Sequence, residues 1–197
     1  SLVHWLKHES DDKLNIFFKP IKEFIESTIE EDYKLRFFSL NYDLTLEHNF
    51  NRTGTHIVNT GFNKQEWNFN FMQNSSARID LYKIHGSLDW YIDKEKEIIQ
   101  YDIEHKAINE SSDPSEIKPH IILGFENKLF SIDPFFTLIQ ELIVKLKDAK
   151  LIIVIGYSFF DNYLNNIIMQ SIAKESSKKL LIVDPKWAKE GLRDFVN

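Results

Sequence analysis

Near the end of the chain, Leu151-Ile152-Ile153-Val154-Ile155 runs straight into Gly156. A bilayer span takes about 20 apolar residues, so this run is far too short to cross a membrane. Its length and near-continuous aliphatic character predict a strand buried on both faces of a sheet. A second such run, Leu180 to Val183, lies further on, and Asn162 to Ala173 between them reads as a helix. Ahead of both, Phe135 to Leu146 has amphipathic spacing, entered through Asp133-Pro134 with Asp133 as its N-cap. Trp187 to Phe195 reads as a closing helix, and His120 to Leu123 as a short apolar run. Strand and helix in alternation predict an α/β fold with a parallel sheet.

The first half follows the same grammar less regularly. Ile16, Phe17, Ile21, Phe24, Ile25 and Ile29 recur at roughly helical spacing over residues 14–30, and Pro20 is expected in the first turn of that helix. Leu35 to Leu40 reads as a buried strand, followed by Asn41-Tyr42-Asp43 and a short helix through Glu47. Leu81, Tyr82 and Ile84 form another strand, stopped by His85-Gly86. Two stretches differ in character, residues 49–78 and 93–119. The first is rich in Asn, Thr and Gln, and the alternation Trp67-Asn68-Phe69-Asn70-Phe71 predicts a strand of period two within a hairpin insertion. The second carries a charge run and the turn-forming SSDPSE. Connections this long are usually functional or disordered.

Composition narrows the function classes. The 197 residues amount to one ordinary domain or a domain with a sizeable insertion, and 43% hydrophobic content excludes general disorder. The 16 phenylalanines predict thick aromatic packing or an aromatic-walled pocket. A net charge of -6 argues against duplex-DNA binding, which needs a basic face. Lys178-Lys179, the one adjacent basic pair, reads as a solvated strand entrance. The chain has no cysteine, which removes disulfides, a thiol nucleophile and every Cys-ligated zinc site, and is compatible with a cytoplasmic protein. His4 and His8 stand four apart, a weak metal pattern near the terminus.

Chemistry-bearing residues collect where strands end, which is where α/β sheets hold their ligands. Asn41 and Asp43 follow the first strand, and His85-Gly86 the second. Gly156-Tyr157-Ser158 follows the third, where glycine lets a ligand approach the backbone and a helix start favours phosphate or hydroxyl oxygens. Asp184 closes the fourth strand, a position where nucleotide-binding sheets hold a ribose hydroxyl. Each has a local alternative. His85 can cap its strand, Asn41 can form a turn with Asp43, and Asp161 fits an N-cap. Asp184-Pro185 fits a strand-to-helix turn with Asp184 as N-cap.

As an ordered set, N-Y-D, H-G, G-Y-S-F-x-D and V-D-P resemble the sirtuin-like family over roughly residues 35–197, and in particular the bacterial sirtuin-like domains that hydrolyse NAD in anti-phage defence. The resemblance implies a Rossmann-like fold of three layers, helices on both faces of the sheet, with a smaller inserted module. It implies NAD as substrate and contacts from Asn41 to the nicotinamide ribose, from Asp43 to the carboxamide, and a general-base role for His85. Gly156 and Ser158 would hold phosphate and the adenosine ribose, with Asp184 where sirtuins carry an asparagine. These residue types suit the reaction: breaking the N-glycosidic bond builds positive charge on the sugar, which an amide and a carboxylate stabilise while a histidine accepts a proton.

The absence of cysteine separates the chain from zinc-stapled deacylases, so no zinc is expected. The family also opens with a strand and a glycine-rich loop that cradles the pyrophosphate. The first glycine here is Gly54, after the N-Y-D motif. A single domain over residues 1–197 is therefore expected, either with that strand and loop upstream of Ser1, which the initial serine favours, or as a degenerate member of the family. Expected partners are NAD or ADP-ribose, a further copy of the chain, and a sensor or effector domain elsewhere in the parent protein; duplex DNA and membrane are not expected. The alternative function is a non-catalytic module that binds NAD or ADP-ribose for regulation, or serves oligomerisation.

Overall fold

The computed structural model describes residues 11–28, 33–51, 58–93, 95, 97–100 and 133–184. Expectations that fall on 120–123, on 187–195 and on most of 93–119 lie outside them. The chain divides into two compact units, Ser1–Leu138 and Ile139–Asn197.

The first unit is built on a three-stranded parallel sheet with β1 (Leu35–Ser39) and β2 (Val58–Asn59) flanking β5 (Ile79–Lys83). All five residues of β5 are buried. Its period-two alternation divides them between two cores. Ile79 and Leu81 pack with Phe18, Ile25, Phe50 and Val58, so α1 (Asp11–Ser27) and α2 (Thr45–Asn51) cover that face. Tyr82 joins the opposite core with Trp90, Phe62, Met72 and Phe135, and stacks on Phe38 of β1 at 4.4 Å.

Helix α1 buries Phe18 and Ile25, while Leu14 and Ile21 pack beside them at intervals of four, three and four residues. Ile16, Phe17 and Phe24 point outward. Pro20 lies in the interior of this helix, not in its first turn. Its ring removes one i→i−4 bond there, a defect tolerated because the tertiary contacts of Phe18 and Ile25 hold both halves.

The polar stretches of the first half meet in one module. β3 (Phe62–Asn63) and β4 (Glu66–Trp67) form a hairpin, and β4 pairs with β7 (Ile98–Gln100), which pairs with β6 (Trp90–Ile92) in an antiparallel sheet. The period-two reading of residues 67–71 fails past Trp67. Asn68 accepts from the Phe71 amide at 3.0 Å and starts α3 (Phe69–Asn74) instead. A cap that satisfies an orphan N–H outweighs an alternation five residues long.

The second unit contains α4 (Phe135–Asp148) from Ile139 onward, β8 (Leu151–Ile155), α5 (Asn162–Ala173) and β9 (Lys179–Val183). Asp133 is not the cap of α4: the Pro134 carbonyl accepts the Leu138 amide, and the Asp133 carboxylate takes the Thr137 hydroxyl at 2.8 Å. β8 and β9 pair in parallel, Leu151 with Lys179 through Ile155 with Val183. Neither is buried on both faces. Ile152 is buried, whereas Leu151, Ile153, Ile155, Leu181 and Val183 are each about half exposed on the other side. An unbroken aliphatic run fixes strand propensity but not the number of covered faces. Lys178 also departs from expectation. It is buried, and its ammonium caps the end of α4 through the Leu146 and Lys147 carbonyls, while Lys179 is exposed.

Candidate functional site

Parallel pairing puts the C-terminal ends of β1 and β5 at the same edge of their sheet. Their register ends with Ser39 opposite Lys83, and the Ile84 amide extends it by bonding the Ser39 carbonyl at 3.0 Å. Two loops therefore leave side by side, Asn41-Tyr42-Asp43 and His85-Gly86-Ser87-Leu88. They are stitched together, because the Leu88 amide donates to the Tyr42 carbonyl at 2.9 Å. The Tyr42 and His85 rings lie 6.3 Å apart, tilted by 34°. Burial pushes the Tyr42 phenol above its ordinary range. Gly86 turns the second loop with φ of +90°, a conformation that L side chains rarely adopt, and its amide closes on the Lys83 carbonyl at 3.1 Å.

Within this cluster Asn41 is exposed, and its backbone N–H donates to the Ser39 hydroxyl oxygen at 3.1 Å. Asp43, not Asn41, makes the local turn. Its Oδ1 accepts the Thr45 amide at 2.9 Å at the entrance to α2. His85 is half-buried at the sheet edge. The structure thus brings Asn41, Asp43 and His85 together in the first unit. Gly156, Ser158 and Asp184 belong to the second.

In that second unit the Gly156 amide bonds the Val183 carbonyl at 2.9 Å, so Gly156 and Asp184 leave adjacent strand ends. Gly156 has φ of +65°, and a Cβ there would meet nothing within 4 Å. The loop beyond it is over-determined. Phe159 is buried yet holds φ of +59°, unusual for a bulky residue. Asn165 clamps it by donating to the Phe159 carbonyl at 2.7 Å and accepting the Tyr157 hydroxyl at 2.9 Å. Burial, then the charge of Asp161, holds the Tyr157 phenol well above the ordinary phenol range. Asp161 is the N-cap of α5, accepting the Leu164 amide at 3.1 Å.

Sequence reasoning missed the polar groups beneath the first cluster. Lys83 is 2% exposed, yet its ammonium reaches the Asp43 backbone carbonyl and lies 3.4 Å from Glu47 Oε1. Burial raises the Glu47 carboxyl, opposed by Lys83 and reinforced by Asp89. Asp89 in turn accepts from Gln100 Nε2 at 2.7 Å. The available signal was a lysine inside the apolar run LYKI, placed where the β5 pattern calls for a core residue.

Among the described residues, no group of three or more His, Asp or Glu side chains is arranged to hold a metal ion, and no helix is long and apolar enough to cross a membrane. A search of curated proteins returned no match. The family model described as a SIR2-like domain matches residues 35–194. That span runs from the first residue of β1 past the end of β9, through every loop described above. With its parallel α/β sheet and its N-Y-D and H-G loops at one sheet edge, this chain belongs to the SIR2-like domain family, whose chemistry is NAD-related.

Proposed function

We propose that this chain is an NAD-cleaving domain that hydrolyses the bond between nicotinamide and ribose. The observation that carries the reading is the convergence of Asn41, Asp43 and His85 on two loops joined by the Leu88–Tyr42 hydrogen bond. An exposed amide and a carboxylate beside an imidazole are the groups such a reaction requires. Asn41 orients the nicotinamide ribose and opposes charge developing on the sugar. Asp43 faces the carboxamide, and His85 takes the proton from the ribose hydroxyl or the attacking water. Separately, the open space over Gly156 gives a phosphate or a ribose edge access to bare backbone, with Ser158 and Asp184 supplying polar contacts. The ordered motifs extend the proposal to a bacterial defence-type protein whose activity a sensor elsewhere in the parent controls.

The test is nicotinamide release from NAD by the full-length protein, comparing native chain with Asn41→Ala and His85→Ala. Loss of a positioned acid–base group such as His85 costs about 10²–10⁴-fold in rate, and loss of a charge-stabilising amide such as Asn41 about 10²–10³-fold, so both variants are expected to fall by at least the lower figure. Undiminished release in both would remove the site assignment. Binding by calorimetry without any release would instead favour a regulatory NAD or ADP-ribose module.

A further inference from the structure

Lys83 ends the face of β5 on which Ile79 and Leu81 build an apolar core. A leucine would continue that core. A buried ammonium carries a large desolvation penalty unless charge and hydrogen bonds offset it, so its presence calls for a reason. Its surroundings supply one. From α2 the Glu47 carboxylate stands 3.4 Å away, and the loop between β1 and α2 offers the Asp43 carbonyl, on which the ammonium closes. Asp89, in the turn before β6, adds a second negative charge that acts on Glu47. The loop carrying Asn41 and Asp43 is thus gripped at consecutive carbonyls. Leu88 holds that of Tyr42 and Lys83 holds that of Asp43.

We propose that Lys83 is a positioning residue. Through the Asp43 carbonyl it sets the 41–43 loop against His85-Gly86, with Glu47 as the counter-charge that makes its burial tolerable. Its kinetic consequence rests on the NAD-cleavage reading, while its structural consequence does not. Lys83 touches no substrate. It acts by keeping Asn41 and Asp43 at a fixed distance from the imidazole, where a displacement of about 1 Å costs about 100-fold in rate.

The experiment separates positioning from stability. Lys83→Met combined with Glu47→Leu removes both charges and leaves neither ion unpaired, so the full-length double variant is expected to melt close to native. Its kcat for nicotinamide release is nevertheless expected to fall about 10- to 100-fold, because nothing then holds the Asp43 carbonyl. Lys83→Met alone, assayed at low temperature with the folded fraction read by near-UV circular dichroism, should lose the same factor per folded molecule. The activity-independent readout is hydrogen exchange. The Leu88 amide should exchange about tenfold faster in the double variant, while amides of the β1–β5 ladder stay protected. Native kcat per folded molecule together with native exchange at Leu88 would overturn the proposal. If the native protein itself releases no nicotinamide, the cleavage reading falls, and exchange at Leu88 alone decides the role of Lys83.

Discussion

Tyr157 shows how much one side chain can fix. Its hydroxyl lies 2.9 Å from Asn165 Oδ1 and 3.1 Å from the Asp161 carbonyl, tying the Gly156–Asp161 loop to the start of α5. Because burial raises its pKa in the folded chain, its stabilising contribution is complete below the unfolded phenol pKa of about 10 and declines as pH rises beyond it. Tyr157→Phe should lose about 1 kcal/mol at pH 8, the net value of one hydrogen bond, and that gap to native should narrow above pH 10. Denaturant unfolding at the two pH values measures it, and a gap that widens with pH would refute the assignment. At this scale the sequence was partly legible. Asp161 announced itself as a cap because the rule is local: an acidic residue just before a helical run. Lys83 and Lys178 did not, because their burial depends on which carbonyls lie opposite them after folding, and no spacing records that.

Elements were legible where periodicity was long and failed where a single cap decided. The parallel strands and α5 follow from apolar runs and helical spacing. Residues 67–71 went wrong because the Asn68 side chain outweighs alternation, and β8 and β9 went wrong because aliphatic content does not say which face is covered. The glycines that shape the connecting loops make an element-scale test. Gly61 and Gly156 both have positive φ, so alanine strains the backbone at either by about 1–2 kcal/mol. At Gly61 the added Cβ would also stand 2.9 Å from Trp67 Nε1 and 3.4 Å from Met72 Sδ, within the antiparallel module. Gly61→Ala should therefore destabilise the protein more than Gly156→Ala. NAD affinity is expected to reverse the order, since only at Gly156 does the methyl enter open space. Chemical denaturation and NAD calorimetry on both variants check the two rankings, and unchanged affinity in Gly156→Ala would remove that glycine from the ligand site.

For the whole molecule, ligand linkage supplies the test. NAD that binds only folded protein at about 100 times its Kd adds about 2.7 kcal/mol of stability, read as a concentration-dependent rise in melting temperature. No rise at any NAD concentration would remove the catalytic and the binding readings together. The three-stranded sheet has a further consequence, and it concerns time. β5 comes last of the three in sequence yet sits between β1 and β2, and Leu35 pairs with Ile79, 44 positions further along the chain. Closing a loop of that length precedes any reward from the contact, and sheets made of such distant pairings form slowly. Asn41 and His85 stand 44 positions apart, too far for a local turn to bring them together earlier. A growing chain that has not yet released Leu88 can form the local turns at Asn41 and Asp43 but not the Leu88–Tyr42 bond that joins the two loops, so the cluster waits for the central strand.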